Sequence, residues 1–234
     1  MASDGDQMSL LRALTVLTMV SGLVDAVCYL GLGRVFTANM TGNIVVLGFA
    51  AAGAPGFSVS GSLTSLAVFL AGAAFAGQLS LRVTSRSRLL LTAMLTEATL
   101  VCAAAVVAIL ASTVATGWGR YTAIGILAFA MGVRNAVIRH LAIRDMTTTV
   151  LTQTLTGLAA DSSLAGGSNP RAGRRSAAVV AMLAGAVIGA ALYLHTGAGL
   201  PLLVAGMVTA GTAIVFRLSG ASRVLDRSSE TMEA

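Results

Sequence analysis

Six apolar runs, each about twenty residues long, leave this chain few ways to fold. They cover Leu10–Leu32, Ser62–Leu81, Leu89–Ala111, Tyr121–Ala142, Ser176–His195 and Leu200–Leu218. At 1.5 Å of rise per residue, about 20 residues cross the ~30 Å hydrocarbon layer of a bilayer. Lipid cannot hydrogen-bond a peptide group, so spans of this length have to be helical. The expected fold class is all-α: a polytopic membrane protein, one membrane domain over residues 1–234, with the lipid bilayer as its first partner. Composition agrees, since 56% of the residues are hydrophobic and only 10% charged, where a soluble domain carries about a quarter. The opening MASDGDQMSLLRALTVLTMV starts acidic and its apolar stretch continues past Asp25 with no cleavage site after it, so it reads as the first membrane helix rather than a signal peptide.

Two further apolar pieces are shorter, Thr41–Ala54 (closed by Pro55) and Thr147–Ala160. At about 14 residues each reaches only ~21 Å, which suits a re-entrant or interrupted helix. Just before the first lies GRVFTANMTGNIVVLG, Gly33 to Gly48, too polar for a span and too apolar for a surface loop. The two pieces sit at matching places in a duplicated chain. Aligning GLVDAVCYL with GVRNAVIRH puts Gly22 on Gly132, Asp25 on Asn135 and Ala26 on Ala136; Thr41-Gly42-Asn43 then falls on Thr152-Gln153-Thr154. The halves are about residues 10–111 and 121–218.

The formal charge is +6, and all fifteen basic residues are Arg, clustered between apolar runs. That pattern reads as topology signal, not as a nucleic-acid face. If the short pieces enter and leave on one side, six helices span and the halves are inverted. Arg12, the 82–88 cluster, Arg139, Arg144, the 171–175 cluster, Arg217, Arg223 and Arg227 then share one side, with Arg34 and Arg120 opposite. The positive-inside rule makes the richer side cytoplasmic, with both termini inside. Inverted repeats with broken helices at matching positions are a recurrent transporter plan.

Three ionisable side chains fall inside spans. Asp25 is about 10 Å deep, and Glu97 and Arg134 are both near 12 Å from the opposite face on antiparallel neighbours. Charge in lipid is expensive without a partner or a wet cavity, so a Glu97–Arg134 pair is expected, with Asp25 and Asn135 nearby. The alternative is an ion pair that serves packing alone. Thr37, Asn39, Thr41 and Asn43, matched by Thr148, Thr149, Thr152 and Thr154, either line a polar site at a helix N-terminus or only satisfy interrupted backbone.

Small residues four apart (Gly22/Ala26, Ala73/Gly77, Gly132/Ala136, Gly185/Gly189) suit close helix packing, within a protomer or in a homo-oligomer. Cys28 and Cys102 read as small apolar residues, and His140 and His195 as interfacial. No Gly-x-Ser-x-Gly, His-Glu-x-x-His, Cys-x-x-Cys, Walker or dinucleotide pattern occurs, so neither an enzyme nor a cofactor is expected.

At GLVDAVCYLGLGRVFTANMTGN the sequence resembles the YoaK-like family of bacterial multi-pass membrane proteins, a domain family of unknown function. The likeness spans roughly residues 10 to 218. Its marks are Gly22, Asp25 and Ala26, then Phe36, Ala38, Met40, Thr41, Gly42 and Asn43; where the family tends to show Thr-Gly in the second half, this chain has Thr152-Gln153. The resemblance implies a six-helix protein of the bacterial inner membrane and no established substrate. The functional expectation is a small secondary transporter or permease for a polar or anionic solute, with a site drawn from Asp25, Asn39, Thr41, Asn43, Glu97, Arg134, Asn135, Thr152 and Thr154. A partner-binding membrane protein without transport activity, or a channel-like pore, are the alternatives.

Overall fold

The computed structural model describes residues 4–110, 117–141, 151–169, 171–219 and 225. Among them the chain is helical, with no strand. The helices are α1 (Asp4–Gly31), α2 (Met40–Ala51), α3 (Val59–Arg82), α4 (Arg86–Leu110), α5 (Trp118–His140), α6 (Leu151–Ala160), α7 (Ala172–Thr196) and α8 (Gly199–Leu218). Six are long and apolar enough to cross a membrane: α1 from Met8 on, α3, α4, α5, α7 and α8. The two short ones fall where the apolar pattern places them. α2 has 12 residues and α6 has 10, so they reach only about 18 and 15 Å.

Packing follows the small residues. α1 lies on α7, and a side chain on Gly22 would strike the carbonyl of Met182, while one on Gly185 would strike that of Met19. α3 lies on α5 in the same manner, with Gly72 against the carbonyl of Phe129 and Gly132 against that of Phe69. Backbones approach this closely only where no Cβ stands between them. Gly77 is different from the expectation: nothing lies within 4 Å of it, so the Ala73/Gly77 pair contributes through Ala73 alone, beside Gly132. α4 packs on both α5 and α8, and α8 also on α1.

Contacts along the crossings fix directions. Gly31 meets Tyr193 and Gly22 meets Met182, so α1 and α7 run parallel. Ser58 and Ser60 at the start of α3 meet Arg120 and Tyr121 at the start of α5, so these two also run parallel. Gly199 meets Ile109 and Gly206 meets Cys102, which makes α4 and α8 antiparallel. α1 and α5 therefore point opposite ways, as do α3 and α7.

The segment between α1 and α3 enters and leaves on one face. Arg34, just past α1, lies over the Phe57 ring at 5.2 Å and against Gly56, just before α3. α2 accordingly dips in and returns without crossing. On the opposite end α6 is tied to α7 by Arg175, whose Nη1 donates to the Gly157 carbonyl at 2.7 Å and to Asp161 Oδ2 at 2.6 Å.

Two apolar clusters fill the bundle. One joins Leu14, Leu17, Leu90, Met94, Val137 and Phe216 near the Arg12 end; the other joins Val24, Val27, Leu32, Val35, Leu127 and Leu202 near the opposite end. The polar residues lie between and within these clusters.

Candidate functional site

Three successive turns of α1 carry the polar core. Leu17 and Ser21 face α4 and α5, Asp25 faces the chain that follows α1, and Cys28 completes the row with its thiol 3.5 Å from the Thr37 hydroxyl. Positions 21, 25 and 28 share a face because i, i+4 and i+7 do.

At Ser21 the core is an ion pair. Arg134 Nη1 donates to Glu97 Oε1 at 2.7 Å and to the Leu17 carbonyl at 3.2 Å, and Nη2 donates to Ser21 Oγ at 2.5 Å. Both charged side chains are fully buried. Such a pair stands in a low dielectric only when attraction and added hydrogen bonds offset several kcal/mol of lost hydration per ion. Here the offset is incomplete: Glu97 Oε2 and Arg134 Nε are buried with no hydrogen-bond partner among the described residues.

One turn further on, Asp25 is arranged otherwise. Its Oδ1 accepts from the Thr37 N–H (2.7 Å), the Ala38 N–H (2.9 Å) and the Thr37 hydroxyl (3.3 Å); its Oδ2 accepts from the Asn39 N–H (3.1 Å) and Asn39 Nδ2 (2.6 Å). Asp25 stands six residues before the end of α1, about 9 Å in, so these donors belong to backbone that has turned back into the protein. Three consecutive N–H groups ahead of a helix have no partner of their own, and the carboxylate satisfies them.

Asn43 does the same for the residue before. Its Nδ2 donates to the Phe36 carbonyl at 2.6 Å while its Oδ1 accepts from the Phe36 N–H at 2.9 Å, and Ser65 on α3 adds a bond to the same carbonyl at 2.6 Å. The Phe36 ring lies against Gly42, where a Cβ would come within 2.5 Å of it, and stacks on Tyr29 with centroids 5.1 Å apart. The Phe-x-Ala-x-Met-Thr-Gly-Asn stretch is thus a self-satisfied broken helix.

The structure brings together Asp25 with Asn39, and Glu97 with Arg134; Asn43 lies next to the first group through Phe36. Asn135, adjacent to Arg134 in sequence, is half-buried, and Thr154 is buried at 8% exposure on α6. Thr41 and Thr152 are exposed, one on each short helix, and do not join the core. α2 packs on α3 and α6 on α7, so the Thr/Asn segments are held by different partners rather than across one chamber. Thr148 and Thr149 lie outside the described residues. Ser21, Ser65 and the Leu17 carbonyl were not singled out from the sequence; a serine one turn before Asp25 was the available signal for the first.

Beside Asp25 a cleft of about 340 Å³ opens between α1 and α7, lined by apolar side chains together with Asp25 and Asn39. Among the described residues no three His, Cys, Asp or Glu side chains come together as metal ligands would.

Comparison with known proteins agrees with the fold. Residues 13–215 match the family described as "Protein of unknown function (DUF1275)". The chain is 36% identical over 154 residues to UPF0700 transmembrane protein YoaK of Bacillus subtilis (strain 168), an alignment spanning 64% of this chain and 66% of that protein, just under two thirds of its length. No solved structure matches. The six membrane-length helices make it a multi-pass membrane protein similar to YoaK, and the match over residues 13–215 shows that the chain belongs to the DUF1275 family.

Proposed function

We propose that this protein is a small secondary transporter, not an enzyme, for a polar or anionic solute, and that its two halves are inverted repeats working by alternating access. The observation that carries the reading is the Glu97–Arg134 pair: a carboxylate oxygen and a guanidinium nitrogen sit unused in the middle of a membrane protein where α1, α4 and α5 meet. A pair retained for packing alone gains by closing those valences; a pair that takes a proton and a solute needs them open. In this reading Arg134 holds an anionic group and Glu97 carries the proton.

The inverted arrangement is supported by the paired crossings, α1 on α7 and α3 on α5: each joins two parallel helices, and the two crossings point in opposite directions. Orientation follows from arginine: Arg12, Arg82, Arg86, Arg88, Arg139 and Arg217, with the trio at 171, 174 and 175, share one face, against Arg34 and Arg120 on the other. That distribution supports a bacterial inner-membrane location with both termini cytoplasmic.

The test is flux in proteoliposomes across a panel of small polar and anionic solutes, with and without a pH gradient. Wild type accumulates at least one solute against its gradient. Glu97→Gln loses gradient-driven accumulation while keeping solute exchange, because a neutral amide cannot carry the proton. The reading fails if no solute moves faster than through empty liposomes.

A second reading, a partner-binding membrane protein without transport, is favoured by one observation. Asp25 accepts five hydrogen bonds from its own chain, which fills the roughly four lone-pair directions of a carboxylate and leaves none for a solute. Absence of flux together with full stability would favour it.

A further inference from the structure

Among the buried side chains described, three carry charge: Asp25, Glu97 and Arg134. One guanidinium cancels one carboxylate and leaves the other. Asp25 stands four residues beyond Ser21, the hydroxyl to which Arg134 Nη2 donates. Its two oxygens take five donors, which leaves no place for a proton, so it stands as the anion. The core around the ion pair therefore already holds one negative charge in excess. No element packed around it brings a cation inward: α3 has no ionisable side chain before Arg82, α7 none between Arg175 and Tyr193, and α8 none before Arg217. On α4 and α5 the nearest arginines, Arg88 and Arg139, are exposed near the helix ends. The thiols of Cys28 and Cys102 are turned to Thr37 and to Gly206 instead.

The pair itself keeps one acceptor and one donor open, Glu97 Oε2 and Arg134 Nε, although both side chains are wholly buried. An anion arriving alone would add a second unbalanced negative charge in a low dielectric, where charge without a partner is costly. An anion arriving with a proton leaves the balance as it was. A proton from water bonds to a Glu97 oxygen, the ionic contact between Arg134 and Glu97 breaks, and the carboxylate of the solute takes the place of Glu97 on the guanidinium. The new Glu97 hydroxyl then donates to that carboxylate. A doubly charged solute would need a second proton acceptor, and the oxygens of Asp25 are already filled.

We propose that the solute of the Glu97–Arg134 site is a small monocarboxylate, bound one for one with a proton, so that nothing crosses with net charge. A planar carboxylate suits a guanidinium whose Nε is open, and the complete burial of both side chains favours a small molecule. The inference rests on the transport reading above for its place in the molecule, and adds to it the charge class of the solute and the proton count.

The test titrates the full chain in nanodiscs with pyruvate, in weakly buffered solution, while proton uptake is recorded. One proton is taken up for each pyruvate bound, and affinity falls about tenfold for each unit of rise between about pH 6 and 8, because the bound state holds the extra proton. Glu97→Gln, whose amide stands for the protonated acid, binds pyruvate with no proton uptake and no pH dependence. Glu97→Leu combined with Arg134→Met, which removes both charges together, binds none. The proton count in the wild type decides the matter even where a variant fails to fold. Pyruvate binding without proton uptake, tighter binding of succinate than of pyruvate, or no saturable binding of pyruvate overturns the proposal. Flux separates it from the transport reading. Solute movement driven by an imposed membrane potential sinks the neutral pairing and leaves transport standing; proton-linked pyruvate binding without any flux supports the pairing and sinks transport.

Discussion

Asp25 and Glu97 are both buried carboxylates in a membrane protein, and their surroundings differ in kind. Asp25 receives five donors, three of them consecutive backbone N–H groups of the chain that follows its own helix. Glu97 receives one, from Arg134, and keeps its second oxygen unused. The first site repairs a broken backbone and has no capacity left over. The second holds two charges together more loosely than burial alone would favour, and that spare capacity makes it the better candidate for chemistry. An acidic residue in a span is therefore not one kind of signal: its donors decide whether it serves the fold or a solute.

The sharpest way to break this comparison is at Asp25. Asp25→Ala leaves three N–H groups unsatisfied in the protein interior, at ~1–3 kcal/mol each, for a total of roughly 5 kcal/mol. The expected outcome is loss of monodisperse protein on size exclusion in detergent; a variant that stays folded at wild-type melting temperature would remove the structural role assigned to Asp25.

Glu97 separates stability from function. Glu97→Leu strands the Arg134 charge and costs about 3–5 kcal/mol, whereas Glu97→Leu combined with Arg134→Met is close to neutral, since a well-packed apolar pair can replace a buried ionic one. Melting temperature should fall in the single variant and recover in the double one, and flux should remain absent in both. Recovery of flux in the double variant would reduce the pair to packing.

The smallest effect is expected at Thr41. It lies in the most recognisable stretch of the sequence and yet is exposed on α2, so Thr41→Val should change melting temperature by no more than a surface substitution does, within about 0.5 kcal/mol. A large loss would mean that Thr41 meets something outside this chain.

Much of the architecture was legible beforehand because a bilayer accepts so few answers. Length and apolarity separate the six long helices from α2 and α6, and a lipid environment forces backbone bonds to close within each helix. Glu97 and Arg134 could be paired from depth alone, since both lie a similar distance from one face on antiparallel neighbours. Small residues four apart marked the crossings at Gly22, Gly132 and Gly185/Gly189 correctly, and failed at Gly77, where the same spacing faces open space.

What the sequence by itself determined, then, is which segments cross, which turn back, and which polar residues end up at similar depth, because those follow from hydropathy and a 1.5 Å rise. Only the tertiary structure decided what each polar group meets. That Thr37, Ala38 and Asn39 bend back onto Asp25, that Asn43 clasps Phe36 while Thr41 two residues earlier faces away, and that Arg34 and Arg120, far apart in the chain, flank one loop all depend on how helices rotate about their axes and where a connection re-enters. Hydropathy is nearly blind to that rotation, since a helix surrounded by lipid on one side and apolar neighbours on the other shows little contrast between its faces.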